Sequence, residues 1–140
     1  MSMPDVEGAL RTWLRGRAAI TALVGQRVFF GVPRKASTWP LITLQRIGGG
    51  DDQSQAPVDR ALVQIDVWGA LDDSGNGMKA DTTTVVNTLR AELATVDRRT
   101  ALNADVDCLG IVVVGVVYLP DPDNDRPRYS VTAEVAAISS

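Results

Sequence analysis

The sequence predicts an α+β fold, in which a mostly antiparallel sheet of about five strands carries two helices packed on one face. Two kinds of periodicity predict it. Apolar residues recur at steps of three and four in two segments, which is typical of helices, whereas other segments alternate apolar and polar residues like strands. The predicted order is α, β, β, β, α, β, β, and such runs of strands favour an antiparallel or mixed sheet. The chain has 140 residues and is 45% hydrophobic, so we expect one domain with its own core.

The first helix is predicted near the start of the chain, where apolar residues share one face. These residues are Val6, Ala9, Leu10, Trp13 and Leu14. Ser2 and Asp5 resemble a capping box before it. A second short helical turn carries Ile20 and Leu23, and Gly25 is a typical stop after it.

Three strands are predicted next, at residues 27–32, 41–47 and 60–69. Residues 48–57, between the last two, contain three glycines, two aspartates and two glutamines but no large apolar side chain, so we expect a loop there. The strand at 60–69 has one fully apolar face. Its other face is mixed, because Leu62 and Trp68 alternate there with polar residues, which indicates partial cover by a neighbour.

A turn at residues 72–77 precedes the second helix of the prediction. The buried stripe of that helix comprises Met78, Thr82, Val85, Val86, Leu89, Leu93 and Val96. Two β-branched strands follow at 107–119 and 128–138, and residues 120–127 have the composition of a hairpin loop.

Charge and apolar runs give little sign of nucleic-acid or membrane binding. The net charge is −3, and the densest basic stretch, Arg11, Arg15 and Arg17, is interpreted as a solvated helix face. The longest apolar run, 109–119, is much shorter than the ~20 residues of a spanning helix. Because the chain begins without a secretory signal pattern, we expect synthesis in the cytoplasm.

Residues suited to catalysis or metal binding are scarce. Histidine is absent from the chain, which excludes Ser–His–Asp and Cys–His mechanisms. Asp121, Asp123 and Asp125 alternate like the start of a calcium loop, but Arg126 and Thr132 occupy the positions that need glycine and a carboxylate. We therefore interpret this run as the tip of a hairpin.

Two further candidates for chemistry are also weak. Asp66 and Glu134 could form a carboxylate pair across the sheet, although chance pairs of surface carboxylates are far commoner. The single cysteine, Cys108, allows no disulfide within the chain, fits a reducing compartment and is interpreted as an inert core thiol. We therefore expect no enzyme activity, no metal and no cofactor.

Several short stretches, in order along nearly the whole chain, resemble the small tail completion proteins of long-tailed bacteriophages, which are similar to tail terminators. The stretches are Leu23-Val24-Gly25-Gln26-Arg27-Val28, Gly31-Val32-Pro33, Trp39-Pro40-Leu41-Ile42, Gln45-Arg46-Ile47-Gly48-Gly49, Val63-Gln64-Ile65-Asp66-Val67-Trp68-Gly69 and Arg128-Tyr129-Ser130-Val131. The resemblance implies a virion subunit that forms a ring, typically of six copies, on the last ring of the tail tube. Such a ring stops tube polymerisation and meets the head–tail connector, and DNA passes through its lumen without specific binding. The acidic loop 48–57 and the turn 72–77 depart from the family pattern.

Two hypotheses assign residues to this role. Leu62, Trp68 and the backbone of the sheet edges form part of the subunit contact; the alternative for the two side chains is ordinary core beneath a helix. The loop residues Asp51, Asp52, Gln53 and Gln55 face the lumen or an adjoining ring; the alternative is a simple surface loop. Two other functions stay open, a head-completion or neck adaptor and a small cellular ligand-binding or enzyme domain.

Overall fold

The computed structural model describes residues 4–33, 36, 38–50 and 58–140. This part of the chain forms three helices and six strands. They are α1 (Val6–Arg15), α2 (Ala18–Val24), β1 (Val28–Phe29), β2 (Leu41–Gly50), β3 (Asp59–Trp68), α3 (Lys79–Ala94), β4 (Thr100–Ala101), β5 (Val106–Tyr118) and β6 (Arg128–Ser139). No helix in these ranges combines the length and apolar character needed to cross a bilayer.

The strands form one sheet in the order β1-β2-β3-β6-β5-β4. All neighbouring pairs are antiparallel except β1 and β2, which are parallel. The predicted α+β class and the mostly antiparallel pairing are therefore confirmed.

The predicted numbers of strands and helices were too low. The sixth strand, β4, has two residues that pair with Asp107 and Cys108, and so short a strand shows no alternation in sequence. The third helix is α2, which the sequence indicated only as a helical turn before Gly25. The predicted strand at 27–32 is shorter than expected, because only Val28 and Phe29 pair with β2.

The predicted loop at 48–57 is wrong in its first part, because β2 continues through Gly50. A bulge follows Arg46, and Gly49 then pairs with Ala61. Gly49 has a φ of +76°, and a Cβ there would collide with the carbonyl oxygen of Arg60. Glycine therefore permits the strand to continue where composition indicated a loop. The remainder, 51–57, lies outside the described residues.

All three helices cover the same face of the sheet. On β3 this helix-covered face carries Val63, Ile65 and Val67, which join the helices in one hydrophobic core. The opposite, open face carries alternate residues of β3, including Leu62 and Trp68. At the start of α3 the backbones approach closely, since a Cβ on Gly69 would meet the side chain of Thr82.

The cap of α1 differs in detail from the prediction. Asp5 is the N-cap residue, and its carboxylate accepts a hydrogen bond of 3.0 Å from the backbone N–H of Gly8. Ser2, the predicted first member of a capping box, lies outside the described residues.

A buried ion pair closes the core beside the first turn of α1. Arg46 donates hydrogen bonds of 2.6 and 2.7 Å to the two carboxylate oxygens of Asp59, whose side chain is almost fully buried. Hydrogen bonding to Asp59 is the main cause that raises the pKa of Arg46 above its ordinary value, and the charge of Glu7 adds to it. The pair thus joins β2 to β3 where the bulge shifts their register.

Replacement of Arg46 by Met tests the contribution of this pair. The variant should lower the free energy of unfolding by about 3 kcal/mol, because it leaves the Asp59 carboxylate buried without a cation. Chemical denaturation measures the change. Arg60→Met is the matched control, since Arg60 and Glu134 form an exposed pair with a 3.9 Å separation, and its effect should stay below about 1 kcal/mol. Equal effects of the two substitutions would contradict the prediction.

Candidate assembly surface

The open face of the sheet carries a network of polar side chains around Trp68. Arg128 and Gln64 donate hydrogen bonds to the buried carboxylate of Asp66, at 2.7 and 3.1 Å. The guanidinium of Arg128 lies 4.5 Å from the centre of the Trp68 ring, and the indole N–H of Trp68 donates to the hydroxyl of Thr43 at 3.0 Å. Neighbouring strands therefore hold Trp68 in place on the open face, where no described helix covers it.

Leu62 lies on the same face as Trp68 but far from it. Both side chains are half-buried. They are separated by six residues of β3, which corresponds to roughly 20 Å. Leu62 instead lies between Gly48 on β2 and Glu134 on β6. The structure thus places both predicted contact residues on the open face without bringing them together, and the alternative that helices cover them does not hold.

The predicted loop residues Asp51, Asp52, Gln53 and Gln55 lie outside the described residues, so the structure gives them no position. The flanking strands β2 and β3 are adjacent and antiparallel, and they bring Gly50 opposite Arg60. The predicted connection between two antiparallel strands is thus confirmed at its ends.

An exposed apolar stripe on β5 is a candidate contact that the sequence did not reveal. Val112, Val114 and Val117 are 61%, 58% and 53% exposed, although valine side chains are usually buried. Leu109 and Leu119, at the ends of the run, are also exposed. The run of apolar residues gave a signal in sequence, but periodicity could not tell an exposed edge strand from a buried central one.

The outer edge of β5 is mostly free. β4 pairs only with Asp107 and Cys108, and the backbone N–H of Ile111 donates to the carbonyl oxygen of Val96. Beyond Ile111, within the described residues, no strand pairs with this edge up to Tyr118. Its backbone N–H and C=O groups that point away from β6 are thus available to a further strand.

A groove of about 370 Å³ runs between this edge and α3. Its lining residues are Asn87, Arg90, Ala91 and Ala94 from α3 and Ile111 and Val113 from β5. Small side chains on α3 leave the space, the β5 side chains make it apolar, and Arg90 gives it a positive charge.

The opposite edge of the sheet, at β1, is capped. Arg11 and Arg15 donate hydrogen bonds of 2.9 and 2.7 Å to the carbonyl oxygen of Val28, and Arg11 also stacks on Phe30. Burial, followed by the charge of Arg11, lowers the pKa of Arg15. Arg17 pairs with Glu92. The interpretation of these arginines as a solvated helix face was therefore wrong, because all three bind groups of their own chain.

The sequence of this chain matches a known protein family, and its fold matches a solved structure. The model of the family described as "Tail completion protein gp17" matches residues 8–137. The chain belongs to this family. Among solved structures, one chain of the "Virion of native gene transfer agent (GTA) particle" has the same fold, with a TM-score of 0.69 and 17% identity; the match covers 96% of this chain and 95% of that one. No curated protein matches the sequence.

Membership in the tail completion family confirms the resemblance seen in the sequence. The family match supports a structural protein of a phage tail, and the likeness to the gene transfer agent chain shows the fold. The family is one of structural virion proteins, which are not typically enzymes.

The carboxylates of this tail completion protein engage in structural contacts. Asp66 pairs with Arg128 and lies opposite Ser130, whereas Glu134 lies opposite Leu62. The suggested carboxylate pair is therefore wrong, since the two groups are four residues apart along the ladder, roughly 13 Å.

The acidic run between β5 and β6 forms a turn. Asp121 accepts hydrogen bonds from the backbone N–H groups of Asp123, through its carboxylate, and of Asp125, through its carbonyl oxygen. This geometry confirms the predicted hairpin tip. Within the described residues, no group of three acidic or cysteine side chains is placed to hold a metal ion.

Cys108 lies in the core, with its thiol hydrogen-bonded to the carbonyl oxygen of Gly110 at 3.3 Å. Burial raises the pKa of this thiol above its ordinary value. The predicted position of Cys108 in the core is confirmed, and a buried thiol with a raised pKa is expected to be a poor nucleophile.

Two substitutions at Trp68 separate its hydrogen bond from its ring contacts. Trp68→Phe should lower the free energy of unfolding by about 1 kcal/mol, because it removes the donor to Thr43 and keeps an aromatic ring beneath Arg128. Trp68→Ala should cost about 2 kcal/mol, since the stacking contact is lost as well. Thermal and chemical denaturation measure both. If Trp68→Ala were as stable as the unsubstituted chain, the network would have no structural role.

Proposed function

We propose that this protein is a tail-terminating subunit that forms a ring, of six copies, on the head-proximal end of a phage tail tube. The ring ends tube polymerisation and joins the tail to the head. The observation that carries the proposal is the family match over residues 8–137. The role is structural and uses no catalytic group, metal or cofactor.

Two unlike surfaces of the subunit support a ring of this kind. A closed ring is built from head-to-tail contacts, in which two different surfaces of one subunit meet. The open face of the sheet carries the half-buried Leu62 and Trp68, whereas the β1 edge carries Arg11, Arg15 and the exposed ring of Phe30. These two surfaces are unlike, as a head-to-tail contact requires.

Leu62 and Trp68 belong to the proposed subunit contact. Both are half-buried on a sheet face without a described helical cover, so a neighbouring subunit could complete their burial. The rigid support of Trp68 by Arg128 and Thr43 favours this role, because a side chain that is already ordered loses little conformational entropy on contact.

The partners of the ring are the tail tube protein on one side and the head–tail connector protein on the other. DNA passes through the lumen without specific binding. The net charge of −3 supports this last point, since a negative subunit repels the phosphate backbone.

Removal of the gene tests the function directly. Electron microscopy of the resulting particles should show overlong tails that are not joined to heads, because nothing stops tube growth. Supply of the unsubstituted protein from a second gene copy is the control and should restore tail length. Unattached tails of normal length would instead indicate the alternative role as a head-completion or neck adaptor, and intact infective virions would refute a virion role altogether.

The loop residues Asp51, Asp52, Gln53 and Gln55 are proposed to face the lumen or an adjoining ring. Replacement of Asp51 and Asp52 by Asn removes two negative charges without shortening the chain. We expect fewer infective particles at an unchanged stability of the purified subunit, because the charge acts only in the assembled ring. Plaque counts and denaturation give the two readouts. Matched replacement of Asp72 and Asp73, in an exposed turn elsewhere, is the control, and an equal loss from both pairs would favour a simple surface loop.

A further inference from the structure

We propose that the free edge of β5 and the groove beside α3 bind an extended, acidic segment of a partner protein, which joins the sheet as an additional strand. The inference concerns the isolated subunit and does not depend on ring formation. Four observations on β5 and α3 carry it: a backbone edge without a strand partner, an edge without charged residues or proline, exposed valines, and cations without a carboxylate partner.

The backbone of β5 is prepared for strand addition. From Ile111 to Tyr118 no described strand pairs with its outer side. Natural sheets protect such edges with charged residues, proline, very short strands or β-bulges, and β5 has irregularities of the last kind between Cys108 and Gly110 and between Val113 and Gly115. The run Leu109–Leu119 contains neither a charge nor a proline. A long apolar edge of this kind is an aggregation hazard unless a partner covers it, and strand addition is a common mode of peptide recognition.

Side chains on the open face predict which residues the partner segment has at one set of alternate positions. Successive residues of an added strand point to opposite faces of the sheet. On the open face they would lie beside Val112 and Val117, which pair with Glu134 and Ser130, and Val114 lies in the irregularity between them; all three valines are more than half exposed. Every second residue of the partner segment should therefore be apolar.

Charged side chains on the helix-covered face predict the residues at the other set of alternate positions of the partner segment. There the added strand would lie along α3, next to Arg90 in the groove and Lys79 near the ring of Tyr118. Within the described residues neither cation has a carboxylate within 4.0 Å, and no acidic residue lines the groove. Carboxylates at the remaining alternate positions of the segment would complement both cations.

The same charges argue against a second copy of this chain as the occupant. Antiparallel pairing of two β5 edges puts both α3 helices on the same face, so each Arg90 would approach the other across the junction. The β1 edge of a second copy is no better. Arg11 and Arg15 occupy the carbonyl oxygen of Val28 and would bring two more positive charges to the groove.

Two synthetic peptides test the proposal with the purified full chain. One is a blocked nine-residue peptide that alternates valine and glutamate, and the other replaces each glutamate by lysine. At low ionic strength the glutamate peptide should bind at least about tenfold more tightly, which corresponds to about 1.4 kcal/mol. Amide signals between residues 111 and 118 should shift on binding and gain protection from hydrogen exchange.

Variants of the exposed surface identify the site without affecting the core. Arg90→Glu should reverse the preference between the two peptides, whereas Arg60→Glu, on β3, should leave it unchanged. Val114→Asp should weaken binding of the glutamate peptide, because it places a carboxylate on the free edge. Circular dichroism and denaturation establish that each variant is folded.

Three results would overturn the inference: equal binding of the two peptides, shifts confined to other strands, or insensitivity to Arg90→Glu. A fourth is a concentration-dependent dimer in analytical ultracentrifugation that Val114→Asp abolishes and the glutamate peptide does not disperse. That outcome would assign the edge to a second copy. None of these measurements involves the tail tube, so failure here is distinct from failure of the proposed ring.

Discussion

Apolar side chains of β3 and β6 pack beneath α1, α2 and α3, and this one layer of contacts forms the core of the described structure. Val63, Ile65 and Val131 are fully buried in it, and each such side chain contributes about 1.5–3 kcal/mol. Because the helices all lie on one side, the open face must satisfy its polar groups within the sheet. The network of Asp66, Arg128 and Trp68 does so, and of its members Asp66 is itself buried, whereas Trp68 stays partly exposed.

Much of this arrangement could be predicted from the sequence, because it depends on local periodicity. Apolar residues at steps of three and four predicted α1. The alternation of apolar and polar residues predicted β3. A strand of two residues is too short to show such a pattern, so β4 was not predicted. Composition also misled at Gly48–Gly50, where glycine is required by the close approach of β2 to Arg60 rather than by a loop.

The surfaces offered to partners were harder to predict, because they depend on the order of strands in the sheet. Val112 and Val114 have the sequence of a buried strand, but Val112 points to the sheet face that no described helix covers, and both side chains are exposed. The same limit applies to Arg11 and Arg15. Their spacing fits a solvated helix face, but α1 lies next to β1, and both side chains reach the carbonyl oxygen of Val28.

The hydrogen bonds of Arg11 and Arg15 to Val28 also affect solubility when the protein reaches a high concentration in the cell. A sheet with two open edges can join edge to edge without limit and grow into a fibre. The guanidinium groups of Arg11 and Arg15 both donate to the carbonyl oxygen of Val28, so this acceptor at the β1 edge is not free to pair with another chain. Edge-to-edge pairing therefore stops after one addition. The free edge of β5 can bind a partner without leading to a fibre.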